Sequence, residues 1–478
     1  MLHIPLLRAG QPYQSLSTIE VLNSQTGEPM AVMSQANRGL ISRDMLSKSD
    51  HKRVLDQFTV ADLIQISQTA GQHFMQAELS IGQQLQSPND YIAQLSASTG
   101  VPKTLCRQNM NKIATVLNHV DDVLGGLTRG LDLSILDKGW GQQHGRMLGY
   151  LCCADSLGGI LPSNSAGVHS LWAPSIALKV PLVLKPGSTE PWSPYRIAQA
   201  FIKAGCPPEA FSLYPTSHDG ATEILLRADR SVLYGSESTV APWRSDPRVQ
   251  IHGTGWSKIL VGEDALTNWE QYLEMMVTSV AENSGRSCIN TSSIWAPAQG
   301  QQIAEAVASQ LSQIQALPLH HPEARLSAFS DPKIACRLAD MIEGYLKIPG
   351  ALDISSQLFG VESVVETDGY TFLMPKVIYC SDPSHPLANT EFLFPFVSVV
   401  EVSQSKILNL IGSTLVASVL TEDRAWITDL LHSPDIERLN LGAIPTNHIS
   451  WDQPHEGNLF DLLYRQRAMQ ADRRVATT

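Results

Sequence analysis

Several side chains in this sequence have the types and placement that carbonyl chemistry needs, and they begin with a cysteine. Cys288 closes the stretch Glu282-Asn283-Ser284-Gly285-Arg286-Ser287-Cys288. Upstream, Tyr272, Leu273, Met276, Val277 and Val280 recur at helical steps, which predicts a helix over 269–280. Gly285 is expected to break that helix, as glycine does where the chain must leave it. The thiol then sits on a turn held by a packed scaffold yet free to project, as a nucleophile requires. Read from this stretch alone, Cys288 is equally a small buried hydrophobe.

Other candidates are spread along the chain. Asn164 ends Gly159-Ile160-Leu161-Pro162-Ser163-Asn164; its amide could donate to an oxyanion, or it is a plain turn asparagine. Lys185 closes an apolar run and is followed by Pro186-Gly187-Ser188. Ligands of parallel α/β sheets bind beyond the carboxyl ends of strands, so this lysine suits a hydroxyl or phosphate; a strand-capping surface lysine is the alternative. Leu233-Tyr234-Gly235-Ser236-Glu237 is a strand running into a glycine turn that can face a phosphate-sized anion. His252 precedes the close-approach turn Gly253-Thr254-Gly255. A histidine with its ordinary pKa of about 6.5 suits base chemistry, or it is structural. Glu391 stands at the entrance to the apolar Phe392-Leu393-Phe394-Pro395-Phe396, an awkward place for an unpaired charge unless it caps a turn.

The elements that must position these residues read as an α/β chain. Short strands at 18–22 and 31–33 precede a helical region, with helices over 54–66, 91–95 and 113–124, the last stopped by Gly125 and Gly126. Residues 132–153 read as an extended hairpin with β pieces at 133–136 and 147–152. Strands at 180–184, 211–214, 231–234, 249–251 and 259–262 then alternate with helices at 194–205 and 222–228. Beyond Cys288 come strands at 291–295, 396–402 and 415–420, and helices at 301–316, 408–411 and 424–431. Such alternation predicts parallel sheets with helical crossovers. The polar tail beyond 463 is expected on the surface.

The totals narrow the function classes. At 478 residues the chain has room for two or three domains of roughly 150 residues each. A net charge of -12 with no basic cluster argues against a nucleic-acid surface. No apolar run approaches the ~20 residues of a membrane helix, and the N-terminus lacks a signal-peptide pattern. The 7 cysteines are scattered, without CxxC or Cys/His ligand spacing. A reduced, cytoplasmic enzyme without a structural metal is the expectation.

The order and spacing of these pieces resemble the aldehyde dehydrogenase superfamily over residues 27–463. Pro162-Ser163-Asn164 is similar to the family's Pro-Trp-Asn, Leu184-Lys185-Pro186 to its cofactor-binding Lys-Pro, and Tyr234-Gly235-Ser236-Glu237 to the turn below the pyrophosphate. Asn283 to Cys288 resembles the stretch ending in the nucleophile, and Glu391 with Pro395 the segment whose glutamate holds the nicotinamide ribose. The resemblance implies a dinucleotide-binding domain (1–131 and 155–252), a catalytic domain (253–439) and an oligomerisation segment (132–154 and 440–478). In that segment a strand over 440–446 is expected to join the protruding hairpin. It also implies NAD or NADP as cofactor, a small aldehyde or acyl thioester as substrate, and a homodimer or homotetramer.

The sequence departs from the family at three places. His252 stands where the family's general-base glutamate usually lies, a feature shared with members that pass the acyl group to coenzyme A. Ser188 replaces the acid that often binds the adenosine ribose, so a 2'-phosphate would not be repelled and NADP becomes plausible. Leu393 and Phe394 replace the Phe and Gly that follow the ribose glutamate. The favoured reading is thus interconversion of an aldehyde and an acyl thioester, with coenzyme A as a co-substrate. Hydrolysis to a carboxylic acid with His252 as base is the alternative, and a non-catalytic scaffold of the same fold is the rival from another class. The segment 448–457, rich in His and Trp, lies where the family's substrate entrance closes.

Overall fold

A computed structural model of the chain describes residues 1–470 and 472. Two seven-stranded sheets organise it. In the first, Val249–His252, Arg230–Tyr234, Leu157–Ile160, Leu182–Lys185 and Phe211–Leu213 lie side by side and parallel. Leu6–Arg8 and Gln11–Tyr13 extend that sheet antiparallel. In the second, Lys376–Cys380, Phe396–Glu401, Ser293–Ala296, Lys258–Val261, Thr414–Leu420 and Ile436–Leu441 run parallel, and Ala351–Asp353 adds an antiparallel edge. Every residue of Thr414–Leu420 is buried, as expected of an inner strand covered on both faces.

Helices Val60–Gln76, Lys103–Asn118 and Trp192–Lys203 pack on one another over the first sheet. Gly300–Leu311 covers a face of the second, with Ile303, Ala304, Val307 and Ala308 fully buried. A smaller antiparallel sheet joins Trp140–Gln143, Arg146–Cys152 and Tyr464–Arg467. Its tight turn carries His144 at φ 48° and Gly145 at φ 74°, the paired positive angles that match the twist of a two-residue hairpin.

Local chemistry overrode several sequence expectations. The single helix expected over 54–66 is two, because Thr59 and Asp62 form a capping box that starts Val60–Gln76 afresh. The helix expected over 113–124 breaks at His119, and Gly125 and Gly126 lie inside the following helix Val120–Leu127 rather than stopping the first. Residues 133–136, read as a strand, belong mostly to the short helix Ser134–Lys138; the hairpin's first arm starts at Trp140. The strand expected over 440–446 to join the hairpin is instead Ile436–Leu441, an edge of the second sheet, and the hairpin's third strand is Tyr464–Arg467. The inner strand Lys376–Cys380 has no counterpart in the sequence reading.

Candidate active site

The chain passes from the first sheet to the second through residues 253–257, between Val249–His252 and Lys258–Val261. This crossing wedges against the cysteine turn. A Cβ at Gly255 would lie 2.0 Å from the carbonyl oxygen of Cys288, so only glycine fits there. Ser257 Oγ donates to the same carbonyl at 2.8 Å.

Helix Leu273–Ala281 delivers the cysteine; it starts four residues later than the expected 269, and the chain leaves it at Glu282, before Gly285 is reached. Asn283, Ser284 and Gly285 follow with φ of 51°, 59° and 64°, three consecutive left-handed residues. Two of them pay the Cβ penalty of that region, so the surroundings must hold them. Asn109 Nδ2 donates to Asn283 Oδ1 at 2.9 Å, and Asn283 Nδ2 donates to Ser165 Oγ at 3.1 Å and Ser287 Oγ at 3.0 Å. Ser284 Oγ accepts from the Ser327 backbone at 2.7 Å. The turn is over-determined.

A cavity of about 670 Å³ opens at this turn, and Cys288, Asn164, His252, Gly235, Ser236 and Glu391 all line it. Asn164 Nδ2 donates to the Arg286 carbonyl at 2.6 Å, leaving its second N–H for a ligand. Burial pushes the Cys288 thiol up, and the carboxylates of Glu456 and Glu391 push the same way; the N–H groups of Cys288 and Ile289 oppose them. Phe329, Ile334, Leu338, Phe392, Ile449 and Trp451 make much of the remaining wall apolar.

Glu391 accepts from the Trp256 N–H at 2.6 Å. Burial raises its carboxyl to about 7 against the pull of that bond. Behind it lies Lys258, fully buried and missed by the sequence reading, whose Nζ donates to Trp256 O at 2.6 Å. Burial lowers this ammonium to about 7.

His252 is not open toward the thiol. Its Nδ1 bonds Glu456 Oε2 at 2.5 Å, and its Nε2 meets the Gln250 amide nitrogen at 3.0 Å. The ring stacks on Tyr234 at 4.4 Å between centroids and is 4% exposed. The sulfur of Cys288, a nitrogen of His455 and a carboxylate oxygen of Glu456 all lie within 4.8 Å of one another, a trio whose types could also hold a metal ion. Cysteine spacing gave no sign of it, and 448–457 entered the sequence reading only as an entrance loop. Burial lowers His455 to about 4.

Lys185 and Ser188 lie elsewhere. The strand order of the first sheet reverses between Leu157–Ile160 and Arg230–Tyr234, and the crevice beyond their carboxyl ends is where a doubly wound sheet binds a dinucleotide. Residues 161–164 and 235–236 border that crevice. Lys185 ends the next strand, half-buried, its ammonium lowered by burial and unpaired among the described residues. Ser188 is exposed. Tyr234 Oη is buried without a hydrogen-bond partner, a polar atom that a bound ligand or water would satisfy. A free lysine, a glycine turn and an orphaned hydroxyl beside the switch point fit a nicotinamide dinucleotide.

Comparison with known proteins agrees with this architecture. A curated relative, 3,4-dehydroadipyl-CoA semialdehyde dehydrogenase of Aromatoleum evansii, is 22% identical over 287 residues, 55% of this chain and 55% of that protein. The chain thus matches about half the length of that relative. The aldehyde dehydrogenase KauB from Pseudomonas aeruginosa superposes with a TM-score of 0.80 at 14% identity, covering 98% of this chain and 96% of that one. An NAD-dependent aldehyde dehydrogenase from Sinorhizobium meliloti gives 0.78 at 16% identity, covering 97% and 94%. The sequence model of the aldehyde dehydrogenase family itself matches residues 13–458, nearly the whole chain, and the protein is a member of that family of nicotinamide-dependent oxidoreductases.

Proposed function

We propose that this chain oxidises an apolar aldehyde with NAD or NADP through a thioacyl intermediate on Cys288. The observation that carries the reading is the convergence of the Cys288 thiol, the Asn164 amide and the Glu391 carboxylate on one largely apolar cavity. Cys288 attacks the carbonyl carbon as thiolate. The Asn164 amide and the Cys288 N–H hold the oxyanion, a task in which one donor is worth about 3–4 kcal/mol. Lys185, Gly235, Ser236 and Glu391 hold the cofactor. Nicotinamide, when bound, supplies the two-electron acceptor. Ser188 offers no carboxylate against a 2'-phosphate, which supports NADP beside NAD.

The acyl acceptor has two candidates. A thiol such as coenzyme A is supported by His252 at the place of the usual glutamate. Water is supported by the Glu456 carboxylate beside the thiol.

The test follows reduced NAD and NADP from a panel of aliphatic and aromatic aldehydes, with and without coenzyme A. Turnover that vanishes in Cys288→Ala is expected. No turnover with any aldehyde, or turnover indifferent to that substitution, would overturn the reading and leave a scaffold of the same fold.

A further inference from the structure

The family's base position is occupied by His252, yet the cavity is not without a base. We infer that Glu456, held by His252, is the general base that activates water to cleave the thioacyl enzyme, so that the product is a carboxylic acid. The inference rests on Cys288 being the nucleophile.

Three observations carry it. A carboxylate oxygen of Glu456 lies within 4.8 Å of Cys288 Sγ, a separation that one bridging water spans. Glu456 Oε2 is pinned by His252 Nδ1 at 2.5 Å, while Oε1 has no protein partner among the described residues. Its side chain is 11% exposed, sheltered from bulk solvent on the cavity wall. The other groups are less suited by geometry. Both nitrogens of His252 are engaged, Glu391 accepts from the Trp256 N–H, and a buried His455 would have to become a cation to take the proton.

The step balances without a redox partner. Water gives its proton to the Glu456 carboxylate as its oxygen bonds the acyl carbon. The C–S bond breaks, Cys288 leaves as thiolate, and the proton returns from Glu456 to sulfur. His252 is a positioning residue: it touches neither water nor sulfur, and it fixes the carboxylate through its Nδ1–H.

The test uses p-nitrophenyl acetate, which acylates a reactive thiol without any cofactor. Wild type should give a burst of p-nitrophenolate followed by steady turnover. Glu456→Gln should keep the burst, lose at least about 100-fold in the steady rate, and accumulate a +acetyl adduct on Cys288 by mass spectrometry. Glu456→Asp, which keeps a carboxylate, should recover part of the rate. His252→Asn, which can still donate, should deacylate faster than His252→Ala. Steady turnover by Glu456→Gln at the wild-type rate, or a loss seen in His455→Ala but not in Glu456→Gln, overturns the assignment. A wild-type burst that survives in Cys288→Ala instead overturns the nucleophile reading itself.

Discussion

His252 Nδ1 and Glu456 Oε2 stand 2.5 Å apart although 204 positions separate them in the chain. One lies at the end of a strand of the first sheet, the other in an irregular segment after the last strand of the second. Glu456 reaches this place with φ at 48°, followed by Gly457 at 102°. The bond turns a histidine that reads as a base into a clamp on a carboxylate. On the inference drawn above, the chemistry expected of one residue is divided between two.

Loss of the thiol should be decisive. Cys288→Ala is expected to lower aldehyde oxidation by at least ~10³-fold. Asn164→Ala, which removes the proposed oxyanion donor, should cost ~10²–10³-fold in kcat while leaving cofactor affinity near wild type. Initial rates and a cofactor-binding titration check both.

Cofactor choice should respond to position 188. Ser188→Asp puts a carboxylate where the adenosine ribose is expected. It should raise KM for NADP by about tenfold or more relative to NAD, through repulsion of the 2'-phosphate. Equal change for both cofactors would remove Ser188 from the ribose site.

The crossing between the sheets offers an internal control. A Cβ at Gly255 meets the Cys288 carbonyl at 2.0 Å, whereas one at Gly253 meets nothing closer than 3.7 Å. Gly255→Ala should destabilise the fold by about 1–3 kcal/mol and abolish turnover; Gly253→Ala should spare stability. Denaturant melts of the two variants distinguish them.

Lys258 should leave a signature in stability against pH. Its folded pKa, about 7, lies below its ordinary value of 10.5. Between those values the unfolded chain binds more protons, so this group makes stability rise as pH climbs through that window. Glu391 acts in the lower window: its folded pKa, about 7, exceeds the ordinary 4.5, so its contribution falls as pH rises from 4.5 to 7. Lys258→Met should flatten the alkaline rise in Tm. An unchanged slope from pH 7.5 to 9.5 would show that Lys258 titrates normally.

Much of this was legible in the chain, for definite reasons. Strands such as Leu182–Lys185 and Thr414–Leu420 are short unbroken apolar runs, and runs of that kind announce parallel sheets. Cys288, Asn164 and Glu391, which line one cavity, stand out in the chain because each has close sequence neighbours of distinctive type. Glu456 could not. No periodicity marks 448–457, and its partner is set by how the two sheets face one another, a non-local matter. Lys258 was hidden for the opposite reason: a lysine opening an apolar strand reads as exposed, and here the backbone carbonyls of Trp256 and Ser413 let it stay inside.

Residues 253–257 are the strand-to-strand link from one sheet to the other, and they also bear on the nucleophile's carbonyl. Mechanically, the joint between the two halves runs through the reaction centre rather than beside it. A displacement of one sheet against the other would be felt at the Cys288 carbonyl first, through Gly255 and Ser257.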